Sequence, residues 1–335
     1  MILYRAMPQP IRHPYDSLTP DVVIDAVETA GFRADGRLLA LNSYENRVYQ
    51  VGIEDGAPVV AKFYRPNRWS TPAILEEHEF ALELAAGEIP IVPPLVRDGR
   101  TLFEHGGFRF ALFERRGGRW PELGNEHDRE WIGRFLGRIH AVGRRQRFQH
   151  RAQLTLARFG EAPREWLLDS DWIPEHIRAA YESVSNELLD VVDAEFEALP
   201  TATLRLHGDC HPGNVLWTDD GPHFVDLDDC MTGPAIQDLW MLLSGTRSEM
   251  GEQLGQILRG YGQFSDFDYG ELRLIEALRS LRIMHYAGWL AQRYDDPAFP
   301  RAFPWVAEPR YWETHVLNLR EQLAAMEEGP LELGS

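Results

Sequence analysis

The stretch from Leu204 to Leu239, LRLHGDCHPGNVLWTDDGPHFVDLDDCMTGPAIQDL, constrains this chain more than any other. Val215 to Thr218 and His223 to Leu227 are β-prone runs flanking Asp219, Asp220, Gly221 and Pro222, the pattern of a hairpin and its turn. With Trp217 opposite His223, Asn214 would face Asp226 at about 5 Å. A slip of one residue would send the two to opposite faces, and the sequence does not fix that register. An amide oxygen and a carboxylate are hard donors of the kind Mg²⁺ takes while substrate phosphates complete its shell. Asp209 lies in a loop that Pro212 and Gly213 keep from becoming helix. Its carboxylate is thereby left free to accept a hydrogen bond from a hydroxyl.

In their order and spacing, HGDCHPGN, VDLDD and GPAIQDL resemble the catalytic and metal-binding motifs of the aminoglycoside phosphotransferase and choline kinase group. The resemblance implies an α+β, bilobal kinase-like fold with a small antiparallel β-rich N-lobe and a larger, mostly helical C-lobe. It implies ATP as co-substrate between the lobes and Mg²⁺ as cofactor. Asp209 and Asp226 would be catalytic, the first as base, and Asn214 and Asp226 would hold the metal. By the same resemblance His207 braces the loop and Asp238 hydrogen-bonds its backbone.

The preceding sequence supplies a hold for the nucleotide. Residues 1 to 18 show no periodicity, after which Thr19, Pro20 and Gly31 delimit a helix over 20–30. Strands are expected over Arg37–Ala40, Arg47–Ile53 and Pro58–Tyr64. Between the first two, LNSYENR has no glycine but offers Ser43 and Asn46 to a phosphate. Lys62 stands among apolar neighbours in VVAKFY and needs a partner, because a lone buried ammonium is costly. The next helix, capped by Thr71, started by Pro72 and ended by Gly87, provides one. At 100° per residue, Ala73, Ile74, Phe80, Ala81 and Leu84 gather around Glu77, whereas Glu76 turns toward solvent. Lys62 and Glu77 are therefore expected to pair as the strand lysine and helix glutamate of kinases do, with Glu76 as the reserve partner. A hairpin about His105, Gly106 and Gly107 follows. Arg115 to Gly118 then break the pattern and divide the chain into 1–115 and 116–335; by the resemblance, the ribbon Phe113, Glu114 and Arg115 would be the hinge that reads adenine. Helical spacing is expected over Glu126–Arg145, with His140 packed, over Glu271–Gln292 and over Arg310–Met326, and helix also begins at Trp240–Leu243.

The 335 residues carry 52 acidic and 34 basic side chains, a formal charge of -18, which disfavours nucleic acid as a partner. With 44% hydrophobic residues the chain can bury a sizeable core. Two cysteines make no disulfide framework, and no signal peptide or membrane-length apolar run is seen. A cytoplasmic monomer is expected. His207, Asp209, Cys210 and His211 are zinc-competent, but Pro212 and Gly213 deny them the helix that would align two histidines. The complete set Lys62, Asp209, Asn214 and Asp226 also argues against a pseudoenzyme.

LNSYENRVYQV, KFYRPNRW and DPAFPRAFPW resemble the bacterial stress-response serine/threonine protein kinases within the group. The implied acceptor is a serine or threonine of a protein, this protein itself included. The runner-up is a small amino alcohol, aminoglycoside-like or homoserine-like acceptor. Only 11 residues separate Asp226 from Asp238, so there is no long activation loop to carry a phosphorylation switch.

Overall fold

The computed structural model describes residues 13–219 and 221–334. Most of the N-terminal arm and the turn residue Asp220 lie outside the described residues. Helix α1 (Pro20–Thr29) starts as its sequence predicts, with the Thr19 side chain accepting from Val22 N and Pro20 in the first turn. Strands β1 (Ala34–Leu41), β2 (Arg47–Ile53) and β3 (Val59–Phe63) follow, then α2 (Thr71–Ala86), β4 (Phe103–His105) and β5 (Phe108–Glu114). They form a five-stranded antiparallel sheet in the order β1-β2-β3-β5-β4. Gly106 and Gly107, both with positive φ, make the two-residue turn between β4 and β5, the conformation that glycine adopts at least cost. The cap of α2 is Ser70 rather than the expected Thr71: its hydroxyl accepts from Ala73 N, which moves the helix start back one residue.

The C-terminal part contains α3 (Glu126–Gly143), α4 (Ala162–Asp169), α5 (Glu175–Ala198), β6 (Leu204–Leu206), β7 (Val215–Thr218), β8 (Gly221–Phe224), β9 (Met231–Gly233), α6 (Ile236–Trp240), α7 (Arg247–Tyr261), α8 (Leu274–Arg293), α9 (Ala298–Ala302) and α10 (Pro309–Met326). Helix α6 ends at Trp240 instead of beginning there. The next helix starts only after Gly245 turns left-handed and Thr246 and Glu249 close a capping box. Phe80, Ala81 and Leu84 of α2 join the large core of the helical part rather than the core between α1 and the sheet. Helix α2 thus joins the sheet to the helices. Helices α3 and α7 cross closely, and a Cβ on Gly133, Gly137 or Gly260 would run into the backbone of the opposite helix. The described residues contain no helix long and apolar enough to cross a membrane.

Candidate active site

Lys62 sits mid-strand in β3, between Val48 of β2 and Ala111 of β5, and is buried. Its ammonium lies 3.3 Å from Glu77 Oε1, 3.1 Å from Asp226 Oδ1 and 3.1 Å from Asp228 Oδ1. Burial works against the charge, but Asp226, Asp228 and Glu77 outweigh it and hold Lys62 firmly protonated. Two arginines complete the network. Arg68 bonds Asp228 and Asp229, and Arg151 lies 3.8 Å from Glu77 Oε2 while donating to the Asp228 and Cys230 carbonyls. Glu76 is not solvated as its spacing suggests. It accepts the N–H groups of Gln149, His150 and Arg151 at 2.6, 2.7 and 2.9 Å and ties α2 to the segment after α3.

The hairpin forms with a register one residue from that expected: Leu216, not Trp217, pairs with His223. Asn214 therefore faces Val225, whose N–H donates to the Asn214 carbonyl at 3.0 Å. The strand alternation does not continue to Asp226, which is left-handed at φ 61° and ψ 65°. That conformation costs a non-glycine residue energy and is concentrated at functional sites. It leaves the Asp226 side chain 53% exposed while its carboxylate reaches Lys62.

Asp209 stands in the turn between β6 and β7. Its Oδ1 accepts from Arg282 Nη1 at 2.7 Å, and its Oδ2 lies 3.3 Å from Asn214 Nδ2 and 3.5 Å from His211 Nε2. Burial pushes the carboxyl up, but His211 and Arg282 prevail and hold it well below the usual range. Asn214 also donates through Nδ2 to the Asp209 carbonyl at 2.9 Å, so its own side-chain oxygen remains for another ligand. Asp238 anchors the start of this turn by accepting the N–H groups of His207 and Gly208, both at 2.8 Å. His140 Nε2 lies 3.0 Å from Asp238, and His140 Nδ1 lies 2.9 Å from the Tyr261 hydroxyl. His207 reaches the Val225 carbonyl at 2.9 Å and so joins the Asp209 turn to the Asp226 turn. Gly208 has φ +86°, and a Cβ there would strike the Asp229 carbonyl. Cys210 is fully buried, and burial drives its thiol well up, away from reactivity.

The remaining candidates are engaged differently. The Ser43 hydroxyl donates to the Asn46 carbonyl at 3.1 Å, and buried Asn46 accepts from Arg65 N at 3.1 Å, so both close the β1–β2 loop. Phe113 packs beside Tyr64, Ile74 and Ala111. Glu114 ends β5 and pairs with Arg116 at 2.8 Å, and Arg115 is exposed. Asp228, Arg68, Arg151 and Arg282 were missed by sequence reasoning. The second acid of VDLDD was a usable signal for Asp228, since a buried ammonium flanked by several acids is better compensated than one facing a single partner.

Residues 37–275 match the model of the phosphotransferase enzyme family. The chain is 47% identical over 319 residues to stress response kinase A of Escherichia coli strain K12, covering 95% of this chain and 97% of that one. It is 46% identical over the same shares to a serine/threonine protein kinase, RdoA, of Salmonella typhimurium strain LT2. Among solved structures it is similar to an amicoumacin kinase in complex with AMP-PNP and Ca²⁺, with a TM-score of 0.72, 21% identity and 93% and 95% of the two chains covered. A spectinomycin phosphotransferase in complex with ADP is similar at a TM-score of 0.64 and 14% identity, covering 95% and 99%.

Proposed function

The chain belongs to the phosphotransferase enzyme family, and from that premise we propose that it is an ATP-dependent serine/threonine protein kinase of the stress-response type, with Asp209 orienting the acceptor hydroxyl. The observation that carries the reading is the convergence of Lys62 with Glu77, Asp226 and Asp228, the last two in a turn that His207 joins to that of Asp209. Phosphoryl transfer asks a protein mainly for position and charge neutralisation. Lys62, held by Glu77 in the middle of a sheet, is a fixed cation for the α and β phosphates. The ribbon Phe113 to Arg115 leaves the sheet where adenine would be read, and we take it as the join between residues 1–115 and 116–335. The β1–β2 loop, closed by Ser43 and Asn46, covers the phosphates with its backbone.

Mg²⁺ fits the donors present: Asn214 spends its amide nitrogen on Asp209 and keeps its oxygen, and the Asp226 carboxylate is half exposed. When bound, the ion neutralises charge on the phosphate oxygens. Asp209 is ionised and fixed on two sides by Arg282 and Asn214, so it can accept the hydroxyl hydrogen bond and then the proton.

A screen with radiolabelled ATP tests the reading, using protein and peptide acceptors, the enzyme itself and small alcohols. Label on protein serine or threonine is expected, and Asp209→Asn should lose it by about 10²- to 10⁴-fold, the range for general bases. Label confined to amino alcohols or sugars would replace the protein-kinase reading with that of a small-molecule kinase, the activity named for the similar solved structures.

A further inference from the structure

The acceptor side of the cleft is basic in a strongly acidic molecule. Along α8, Arg282, Tyr286, Trp289 and Arg293 recur at helical spacing, on the face that meets Asp209 and the β1–β2 loop. At one end Arg282 holds Asp209, and at the other Trp289 and Arg293 hold Glu45 of the β1–β2 loop. The single acid of α8, Glu276, is turned to Arg279 and Gln322. Between the two ends Tyr286, one turn from Arg282, is 39% exposed and stacked on Trp289, a flat apolar surface.

Arg282 gives Nη1 to Asp209, yet its side chain is 41% exposed, so the rest of the guanidinium fork faces the open side. Arg158 lies on the π-helical turn Ala157–Glu161, whose Phe159 ring lies 4.6 Å from His285, three residues along α8 from Arg282, and His285 feels the charges of Arg158 and Arg282 alike. Arg158 is exposed, rests over the Trp69 ring at 5.7 Å, and has no carboxylate within ion-pair distance among the described residues. Asp229, whose charge it feels, is bonded to Arg68. A cation without a carboxylate among the described residues, on the same stretch of α8 as a half-used one at Asp209, is placed to meet an anion that arrives with the substrate.

We infer that Arg158 and Arg282 are specificity-determining residues that select an acceptor serine or threonine flanked by acidic residues, laid along the Tyr286 face of α8. This rests on the protein-kinase reading and names its substrate class. Lysine-rich segments are repelled at the same place, although the protein's overall charge would attract them, so local and global electrostatics give opposite predictions.

The test uses two serine peptides that differ only in their flanking residues, glutamate or lysine, with the full-length enzyme and radiolabelled ATP. Wild type should favour the glutamate peptide by about thirtyfold in kcat/KM, as two exposed ion pairs at the upper end of their usual worth would give. Arg158→Glu should cut that preference about fivefold, through KM rather than kcat, and Arg158→Lys should keep it. Equal use of both peptides, or a preference that survives Arg158→Glu, overturns the inference and leaves the kinase reading standing. Labelling of small alcohols with neither peptide used would sink the protein-kinase reading and this inference with it.

Discussion

Lys62 is charged where a lone ammonium would not stay charged. Three carboxylates surround it, two of them from the segment after β8, so its removal strands Glu77, Asp226 and Asp228 together. Breaking a buried pair by deleting one partner costs about 3–5 kcal/mol. Lys62→Met should therefore lower the melting temperature by about 4 °C or more, given the entropy of unfolding of a chain this size, as well as remove ATP turnover. Unchanged melting would mean that Lys62 is an ordinary strand lysine. Glu271 carries a second residue-scale prediction. It is 2% exposed and accepts the Ile236 N–H at 2.8 Å, behind the helix that presents Asp238. Burial raises its pKa to about 7, against that hydrogen bond. The folded state thus binds a proton that the unfolded chain releases near pH 4.3. Its contribution is full below that value and is lost as pH rises through about 7. Glu271→Gln keeps the acceptor and removes the titration. The variant should melt with wild type at pH 5 and above it at pH 8, and equal melting at both values would show that Glu271 is solvated.

Elements show which parts of the fold were legible in the sequence. Caps and period-3.6 stripes are local, so Thr19 and Pro20 delimited α1, and the stripe around Glu77 pointed to the carboxylate that Lys62 touches. The four-residue strands β7 and β8 have too few alternations to set a register, and nothing local announced the left-handed turn at Asp226. Arg282 meets Asp209 across 73 residues, a pairing that no spacing rule reaches. Helix α7 did carry a readable signal, the Thr246 and Glu249 capping box, which went unused. Glycine in a helix reads as weakness, yet Gly133, Gly137 and Gly260 let α3 and α7 approach until His140 and Tyr261 meet behind Asp238. Gly137→Ala adds a methyl against the Tyr261 carbonyl and should cost about 1–3 kcal/mol, as overpacking does. Because the strain falls on the brace of Asp238, kcat should fall with stability. A variant that melts lower but turns over normally would detach the helix crossing from the Asp209 turn.

At the scale of the whole molecule, the sheet and the helical part are joined by charges as well as by α2. Asp296, just after α8, is 3% exposed and accepts from Arg47 at 2.7 Å and Arg65 at 2.9 Å, the first opening β2 at the end of the β1–β2 loop and the second just after β3. Glu45 at that loop's tip reaches back to Trp289 and Arg293 at 2.6 and 3.2 Å, and the Tyr44 ring meets Phe303 at 4.8 Å. The loop that would cover ATP is therefore fixed from the far side of the cleft. Burial pushes Asp296 up, but the Ala298 N–H and the two arginines hold its pKa below the usual range. This contribution is present above the ordinary aspartate pKa, about 3.9, and is lost as pH falls through the lowered value. Asp296→Asn keeps an acceptor for Ala298 N and removes the charge, leaving Arg47 without an acid partner and Arg65 with Glu45 alone at 3.6 Å. The expected loss is about 3 kcal/mol, the lower end for a broken buried pair. If the latch also sets the loop over the nucleotide, KM for ATP should rise several-fold while KM for the acceptor holds. A lower melting temperature with KM for ATP unmoved would reduce the latch to a structural tie. A rise in both KM values would mean that the whole cleft, and not the nucleotide loop alone, depends on it.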